Sequence, residues 1–188
     1  MMGYYRLNVT KPSVPDNLSH MVREISAGGV VVRQSSDGWQ VAVIEPQKEE
    51  SSEGPAKSKG KKWQKVLLAL PKGLIDKVEK PEQTAVREVL EETGLNAIPV
   101  TKLGTVKYVY VRSWGDHERV FKIVTFYLLR YTSGEIDQVE PEMRIEVKRA
   151  FWVPLEEAAQ RLAYRGEKDM VRQAQKYLAE NRERSEGP

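Results

Sequence analysis

Apolar positions along this chain follow two spacings, and the switch between them sketches the fold. Runs rich in β-branched residues, bounded by turn residues, predict strands over 27–33 (AGGVVVR), 40–44 (QVAVI) and 63–70 (WQKVLLAL). Asp37-Gly38 is a turn signal between the first two. Further strands are expected over 103–112, 120–131 and 145–153. Between 70 and 103 the apolar spacing becomes three and four, which predicts a helix. Pro81 suits its first turn, where a missing N–H costs little, and Glu82 suits the positive helix end. Gly94 is placed to close it in a left-handed cap. Helical spacing returns over 154–164 and again from about 167 to 181. Residues 1–21 show little periodicity and read as an irregular lead-in, and there are no internal repeats. Residues 46–62 (PQKEESSEGPAKSKGKK) are too polar to join a core and are expected to form a mobile loop.

The central helix gathers unlike faces. At about 100° per residue, with Glu88 set to zero, Glu92 falls near 40° and Glu91 near −60°. Val86, Val89, Leu90 and Thr93 fall between about 100° and 200°, on the opposite side, and are expected to be buried. Glu88 and Glu92 are four apart with like charge, a destabilising pair unless something positive lies between them. Arg87, the helix's one basic residue, can pair with Glu91 or reach back to Glu79. A hard divalent cation is the natural partner for carboxylates so grouped, magnesium above all. The chemistry that follows is metal-assisted phosphoryl transfer, with a carboxylate not consumed by the metal acting as general base.

Residues 73–95 read GLIDKVEKPEQTAVREVLEETGL. Glycine, glutamate, Arg-Glu, an aliphatic residue, Glu-Glu, a second glycine and a final aliphatic stand at fixed spacings, and this pattern is the Nudix box. The chain resembles the Nudix hydrolase superfamily from about residue 21 to 178, whose members cleave a nucleoside diphosphate linked to another group. The resemblance implies an α/β protein, an α/β/α sandwich around a mixed β-sheet, with the hydrolase domain over 22–182 and a tail at 183–188. It implies that Glu88, Glu91 and Glu92 are metal ligands for magnesium, with manganese able to substitute, and that the Lys72 carbonyl is a further ligand. Arg87 and Glu79 would brace the box loop against the helix, and Gly73 and Gly94 would serve the backbone.

Outside the box, the Pro-Lys-Gly element at 71–73 is shared with diadenosine tetraphosphate and diphosphoinositol polyphosphate hydrolases, which makes Lys72 a candidate phosphate contact. FKIVTFYLL resembles the Lys-x-Val-x-Tyr strand of the tetraphosphate group, with Lys122 and Val124 in place and Phe126 where tyrosine is usual. Tyr127 follows but alternates to the other strand face. RIEVKRAFWVPLEEA resembles a segment that brings an extra carboxylate to the metal; Glu146 matches it, with Glu140 and Glu142 nearby. Tyr108 and Tyr110 share a strand face and are candidates to stack on a base or, equally, to pack in the core. Trp114, Asp116 and His117 lie in an expected turn, with Trp114 and His117 as further candidates.

Composition narrows the rest. The chain has 188 residues, enough for one full core, and no cysteine, so thiol chemistry is excluded. No apolar run approaches the roughly 20 residues needed to cross a bilayer, and no signal peptide is evident, so a cytoplasmic location is expected. A net charge of +3 does not make a nucleic-acid surface. Lys57, Lys59, Lys61, Lys62 and Lys65 form one basic cluster, either a solvated loop or a reach toward a polyanion. The expected partner is a small nucleotide, with oligomeric state open. Diadenosine tetraphosphate, cleaved to ATP and AMP, is the substrate expected from the resemblance. Oxidised nucleoside triphosphates, diphosphoinositol polyphosphates and RNA 5′ ends are the alternatives, as is a nucleotide-binding regulator without catalysis.

Overall fold

The computed structural model describes residues 21–47, 66–112 and 118–185. All but the last residue of the expected lead-in and most of the lysine-rich loop lie outside these residues, as do Trp114, Asp116 and His117. Strands β1 (Val22–Ser35) and β2 (Gly38–Pro46) form a hairpin whose turn ends at Gly38, with a φ of 109°. Strands β3 (Lys72–Leu74), β4 (Leu95–Val111), β5 (Arg119–Gly134) and β6 (Val147–Pro154) complete a six-stranded sheet of order β4-β5-β1-β2-β6, with β3 beside β1. Only β1 and β5 run parallel, so the sheet is mixed, as expected.

Strand alternation sorts the two faces. Val30, Val32, Val124, Phe126 and Leu128 enter a core shared with helices α2 (Leu155–Arg161) and α3 (Arg165–Ser185). Val31 and Leu129 point the other way and meet Val89 of helix α1 (Pro81–Thr93), with Tyr127 packed at the same side. Helices on both faces make the α/β/α sandwich. No helix among the described residues is long and apolar enough to cross a membrane.

Five local expectations are corrected. The stretch expected as a strand over 63–70 makes, within its described part, a single bridge between Ala69 and Ile44. Here β1 hands its edge from β2 to β3, leaving no continuous partner for a strand. The strand expected from 145 begins at Val147, because Pro141–Ile145 is a 3-10 turn whose proline presets the turn's φ. Helix α3 runs past 181 to Ser185, and Pro46 belongs to β2 rather than to the loop.

The fifth correction concerns α1. Ala85 and Val89 are fully buried and Val86 partly so, but Leu90 is 45% exposed. The buried arc runs from Thr84 through Glu88, Glu92, Ala85 and Val89 to Thr93, or about −40° to 140° on the wheel above. Two glutamates thus share the packing side instead of opposing it, and Leu90 is turned out. Val89→Ala is expected to cost about 2 kcal/mol and lower the melting temperature by several degrees. Leu90→Ala is expected to stay within about 0.5 kcal/mol. Thermal unfolding of the two variants distinguishes this arrangement from the expected one; equal losses would contradict it.

Candidate active site

The carboxylates are set in place by the two ends of α1. At its start, Gln83 Oε1 accepts the Lys80 N–H at 3.0 Å and Glu79 Oε2 accepts the Thr84 hydroxyl at 2.7 Å. At its end, Gly94 takes a left-handed φ of 77° and its N–H reaches Leu90 O at 2.8 Å, as the sequence led one to expect. A side chain there would also meet Gln138 O at 2.3 Å.

Glu88 and Glu92 are almost wholly buried, while Glu91 is partly exposed. Glu92 Oε2 accepts the Lys72 main-chain N–H at 2.7 Å, which fixes α1 to β3. A Cβ on Gly73 would stand 2.2 Å from the Glu88 carboxyl, so the glycine is required by that carboxylate. Arg87 does more than either expected pairing. Its Nη1 donates to Glu88 at 2.7 Å and Glu91 at 2.8 Å, its Nε and Nη2 each reach Glu79 at 3.0 Å, and Nη2 holds Leu74 O at 3.1 Å. One guanidinium therefore joins the box loop to two helix carboxylates.

Electrostatics separate these acids. Hydrogen bonds from Arg87 and Thr84 hold Glu79 down at about 2. Burial pushes Glu92 up to about 8, against Lys72, with Glu88 and Glu146 adding repulsion. Burial also raises Glu88; Arg87 opposes this, and Glu91 and Glu146 reinforce it. Glu146 stands just after the 3-10 turn, exposed, and not on a strand as expected. Its charge nonetheless reaches both buried helix glutamates.

Among the described residues no three carboxylates are already closed into a coordination shell. The donor chemistry still fits a hard divalent cation: oxygen atoms only, two of them on buried carboxylates that resist ionisation while no cation lies between them.

On the opposite sheet face lies a second cluster. The Lys72 ammonium is turned away from α1 and pairs with Glu167 at 3.0 Å, also touching Leu70 O at 3.3 Å. Glu167 is buried and its other oxygen accepts the Leu70 N–H at 2.9 Å. Burial disfavours the Lys72 charge, but Glu167 and Glu92 outweigh it and raise its pKa. Lys122 pairs with Glu24 at 3.3 Å, and the same carboxylate accepts the Tyr110 hydroxyl at 3.0 Å and Arg112 at 3.2 Å. Burial pushes Glu24 up, but these donors prevail and hold it below the usual carboxylate range. The rings of Tyr108 and Tyr110 lie 6.2 Å apart, and Tyr108 is 38% exposed, so it is not a core residue. Phe126, at the position where tyrosine is usual in the tetraphosphate group, is buried in the core. Glu24, Arg112 and Glu167 escaped the sequence reading. Glu167 had a signal, an acid in the first turn of an expected helix; Glu24 and Arg112 had none beyond strand parity.

A cleft of about 500 Å³ lies elsewhere, lined by Val66, Leu68, Arg149, Phe151, Gln160 and Arg161. The carboxylate site is marked by charge and hydrogen bonding rather than by depth.

With this geometry in hand, likeness to known proteins becomes informative. The chain is 35% identical over 167 residues to a protein of Mycobacterium tuberculosis described as mutator protein MutT4, covering 89% of this chain and 60% of that one. It is 29% identical over 104 residues to the 8-oxo-(d)GTP phosphatase of Mycolicibacterium smegmatis, covering 55% of this chain and 29% of that one. The chain thus spans less than two thirds of the length of each of these relatives. Among solved structures, an Ap4A hydrolase of C. elegans in a binary complex superposes with a TM-score of 0.57 at 19% identity. That match covers 83% of this chain and 98% of the other, and at such identity it speaks for the fold. Residues 24–174 match the profile of the NUDIX domain, and the chain belongs to that family.

Proposed function

We propose that this chain is a divalent-metal-dependent hydrolase that cleaves a phosphoanhydride bond in a nucleoside polyphosphate. The observation that carries the reading is the pair Glu88 and Glu92, held buried on one helix with raised proton affinity, the first braced by Arg87 and the second by the Lys72 main chain. Glu88, Glu91 and Glu92, with Glu146 and the Lys72 carbonyl, would hold magnesium or manganese. The bound ion would neutralise phosphate oxygens and favour ionisation of the attacking water. Arg87 and Glu79 keep the box loop seated, so that Lys72 stays bonded to Glu92. A glutamate oxygen not engaged by the ion takes the proton from the water. Tyr108 and Tyr110 offer stacking faces for a base, and Lys122 and Lys72 bring positive charge once they exchange Glu24 and Glu167 for phosphate.

The substrate class supported best is the oxidised nucleoside triphosphate, cleaved to the monophosphate and pyrophosphate. One relative favours it by name, as an 8-oxo-(d)GTP phosphatase; another is named a mutator protein. This departs from the expectation of diadenosine tetraphosphate, which remains the second reading on the paired tyrosine rings beside two lysines. A retained set of box glutamates argues against a regulator without catalysis.

The test is a panel of oxidised dGTP, dGTP, diadenosine tetraphosphate, ADP-ribose and diphosphoinositol polyphosphate, each with magnesium, followed by product separation. Oxidised dGTP is expected to give the highest kcat/KM, with pyrophosphate released. Higher efficiency on the tetraphosphate, with ATP and AMP as products, would install the second reading. No turnover on any member would sink both.

A further inference from the structure

We infer that Asp137 is a positioning residue: it ties the turn carrying Glu146 to the C-terminal end of α1, and so sets where Glu146 stands relative to Glu88 and Glu92. The inference rests on the reading of Glu146 as a member of the metal site.

Asp137 is the one non-glycine residue with a left-handed backbone among the described residues, at a φ of 71°. Aspartate tolerates that conformation better than most side chains, though at a cost that other bonds must offset. From this position one residue reaches three elements. Its N–H donates to Thr93 O, in the last turn of α1, at 2.9 Å. Its Oδ1 accepts the Ala150 N–H of β6 at 2.6 Å and Arg144 Nη1 of the 3-10 turn at 2.8 Å, while its carbonyl accepts Arg144 Nη2.

Those bonds close around Glu146. Arg144 also donates to Lys148 O at 3.1 Å, and its own carbonyl accepts Gln47 Nε2 at 3.0 Å. The Gln47 N–H then holds Glu146 O at 2.8 Å, and the Glu146 N–H reaches Met143 O at 3.1 Å. The main chain of Glu146 is therefore fixed at both polar groups, while its side chain stays exposed and its charge is felt by Glu88 and Glu92. The segment that holds Asp137, before this turn, rests directly on the helix end, since a Cβ on Gly94 would lie 2.3 Å from Gln138 O and 2.7 Å from Glu135 O. Shifting Asp137 thus shifts Glu146 against α1.

A plain surface ion pair is the competing account. Asp137 and Arg144 are 40% and 35% exposed in their side chains, so charge attraction alone is worth little. The bonds to Thr93 and Ala150, both to main chain, are what a surface pair would lack.

The experiment is titration of the full chain with Mn2+, read by water-proton relaxation, together with melting temperatures. Asp137→Gly keeps the left-handed backbone and loses the carboxylate; Asp137→Asn keeps an acceptor oxygen as well. Asp137→Gly and Glu146→Gln are each expected to weaken Mn2+ binding about tenfold, the usual scale for a group that orients a metal ligand. The double variant is expected to bind no more weakly than Glu146→Gln alone, and Asp137→Asn to stay within about threefold of the original chain. Three results would overturn the inference: unchanged binding in Asp137→Gly, additive losses in the double variant, or an Asp137→Asn as weak as Asp137→Gly. If the original chain binds Mn2+ and shows this pattern but hydrolyses no nucleotide, the proposed function fails and the inference stands. If it binds no Mn2+, both fail.

Discussion

Glu92→Gln is expected to reduce turnover on the order of 10²- to 10⁴-fold while leaving the metal-free protein at least as stable as the original. The physical reason lies in where Glu92 sits. It is 6% exposed, and burial lifts its pKa from an ordinary 4.5 to about 8. The folded chain therefore keeps a proton that the unfolded chain gives up, and stability falls as pH rises through the window from 4.5 to 8. A glutamine has no proton to surrender and can still accept the Lys72 N–H. The variant and the original should melt together near the bottom of that window. At the top, without metal, the variant should be the more stable, by an amount on the order of a few kcal/mol at most, and so melt higher. Added magnesium should raise the melting temperature of the original more than that of the variant, because the cation relieves a repulsion the variant lacks. Thermal scans across this pH range with and without magnesium, beside single-turnover kinetics, read both effects. A variant that keeps its turnover, or that melts below the original at the upper end, would remove Glu92 from the proposed metal site.

The second large effect belongs to Arg87. Its alanine variant leaves Glu79, Glu88 and Glu91 without their shared cation and Leu74 O without its donor. Breaking a buried pair costs about 3–5 kcal/mol, and with 30% of the Arg87 side chain exposed we expect about 2–3. Turnover should fall on the order of 100-fold or more, since the box loop and the helix carboxylates lose their common anchor. Arg87→Lys should not restore it, because an ammonium cannot reach three carboxylates and a carbonyl from one plane. The pH signature has the opposite sign from that of Glu92. Glu79 is held down at about 2, chiefly by Arg87, so its contribution is complete above an ordinary 4.5 and lost as pH falls toward 2. The gap in melting temperature between the original and Arg87→Ala should therefore narrow across that acid range. A gap that stays constant would mean that Arg87 acts by packing alone.

The carboxylate helix could be read before any coordinates because its evidence is local. A 3.6-residue period, a proline at the first turn, a glycine after the last and three glutamates within five positions all lie inside one element. Even there, the period gave relative angles and not the direction of the core. Leu90 was expected inside and stands outside because α1 docks through Ala85 and Val89 and draws Glu88 and Glu92 in with them. Counting charge as a mark of the outward face led to that error, since a carboxylate can be buried when arginine, lysine or main-chain N–H groups meet it.

Residues joined across long separations were hidden for a different reason. Glu167 meets Lys72 and Leu70 from nearly a hundred positions away, and Glu24 gathers Tyr110, Arg112 and Lys122 across three strands. Asp137 carries no motif at all; its left-handed backbone and its bonds to Thr93, Arg144 and Ala150 exist only once three elements have met. Lys72 shows the limit most clearly. Its place before Gly73 marked it as part of the site, yet its main chain faces Glu92 while its ammonium faces Glu167 on the other side of the sheet.

What the order of residues supplied alone was an expected class of chemistry and the element expected to bear it: a helix with Glu88, Glu91 and Glu92 on one side, with Arg87 among them and glycines at 73 and 94. Periodicity and like-charge spacing are properties of the chain itself, so they survive without knowledge of its neighbours. Tertiary structure decided how deep each glutamate lies, which acids stay protonated longest, and which distant side chains lock Lys72 and Glu146 into place. Burial and proton affinity depend on what comes to rest against a group, and for Glu92 that is a strand twenty residues earlier in the chain.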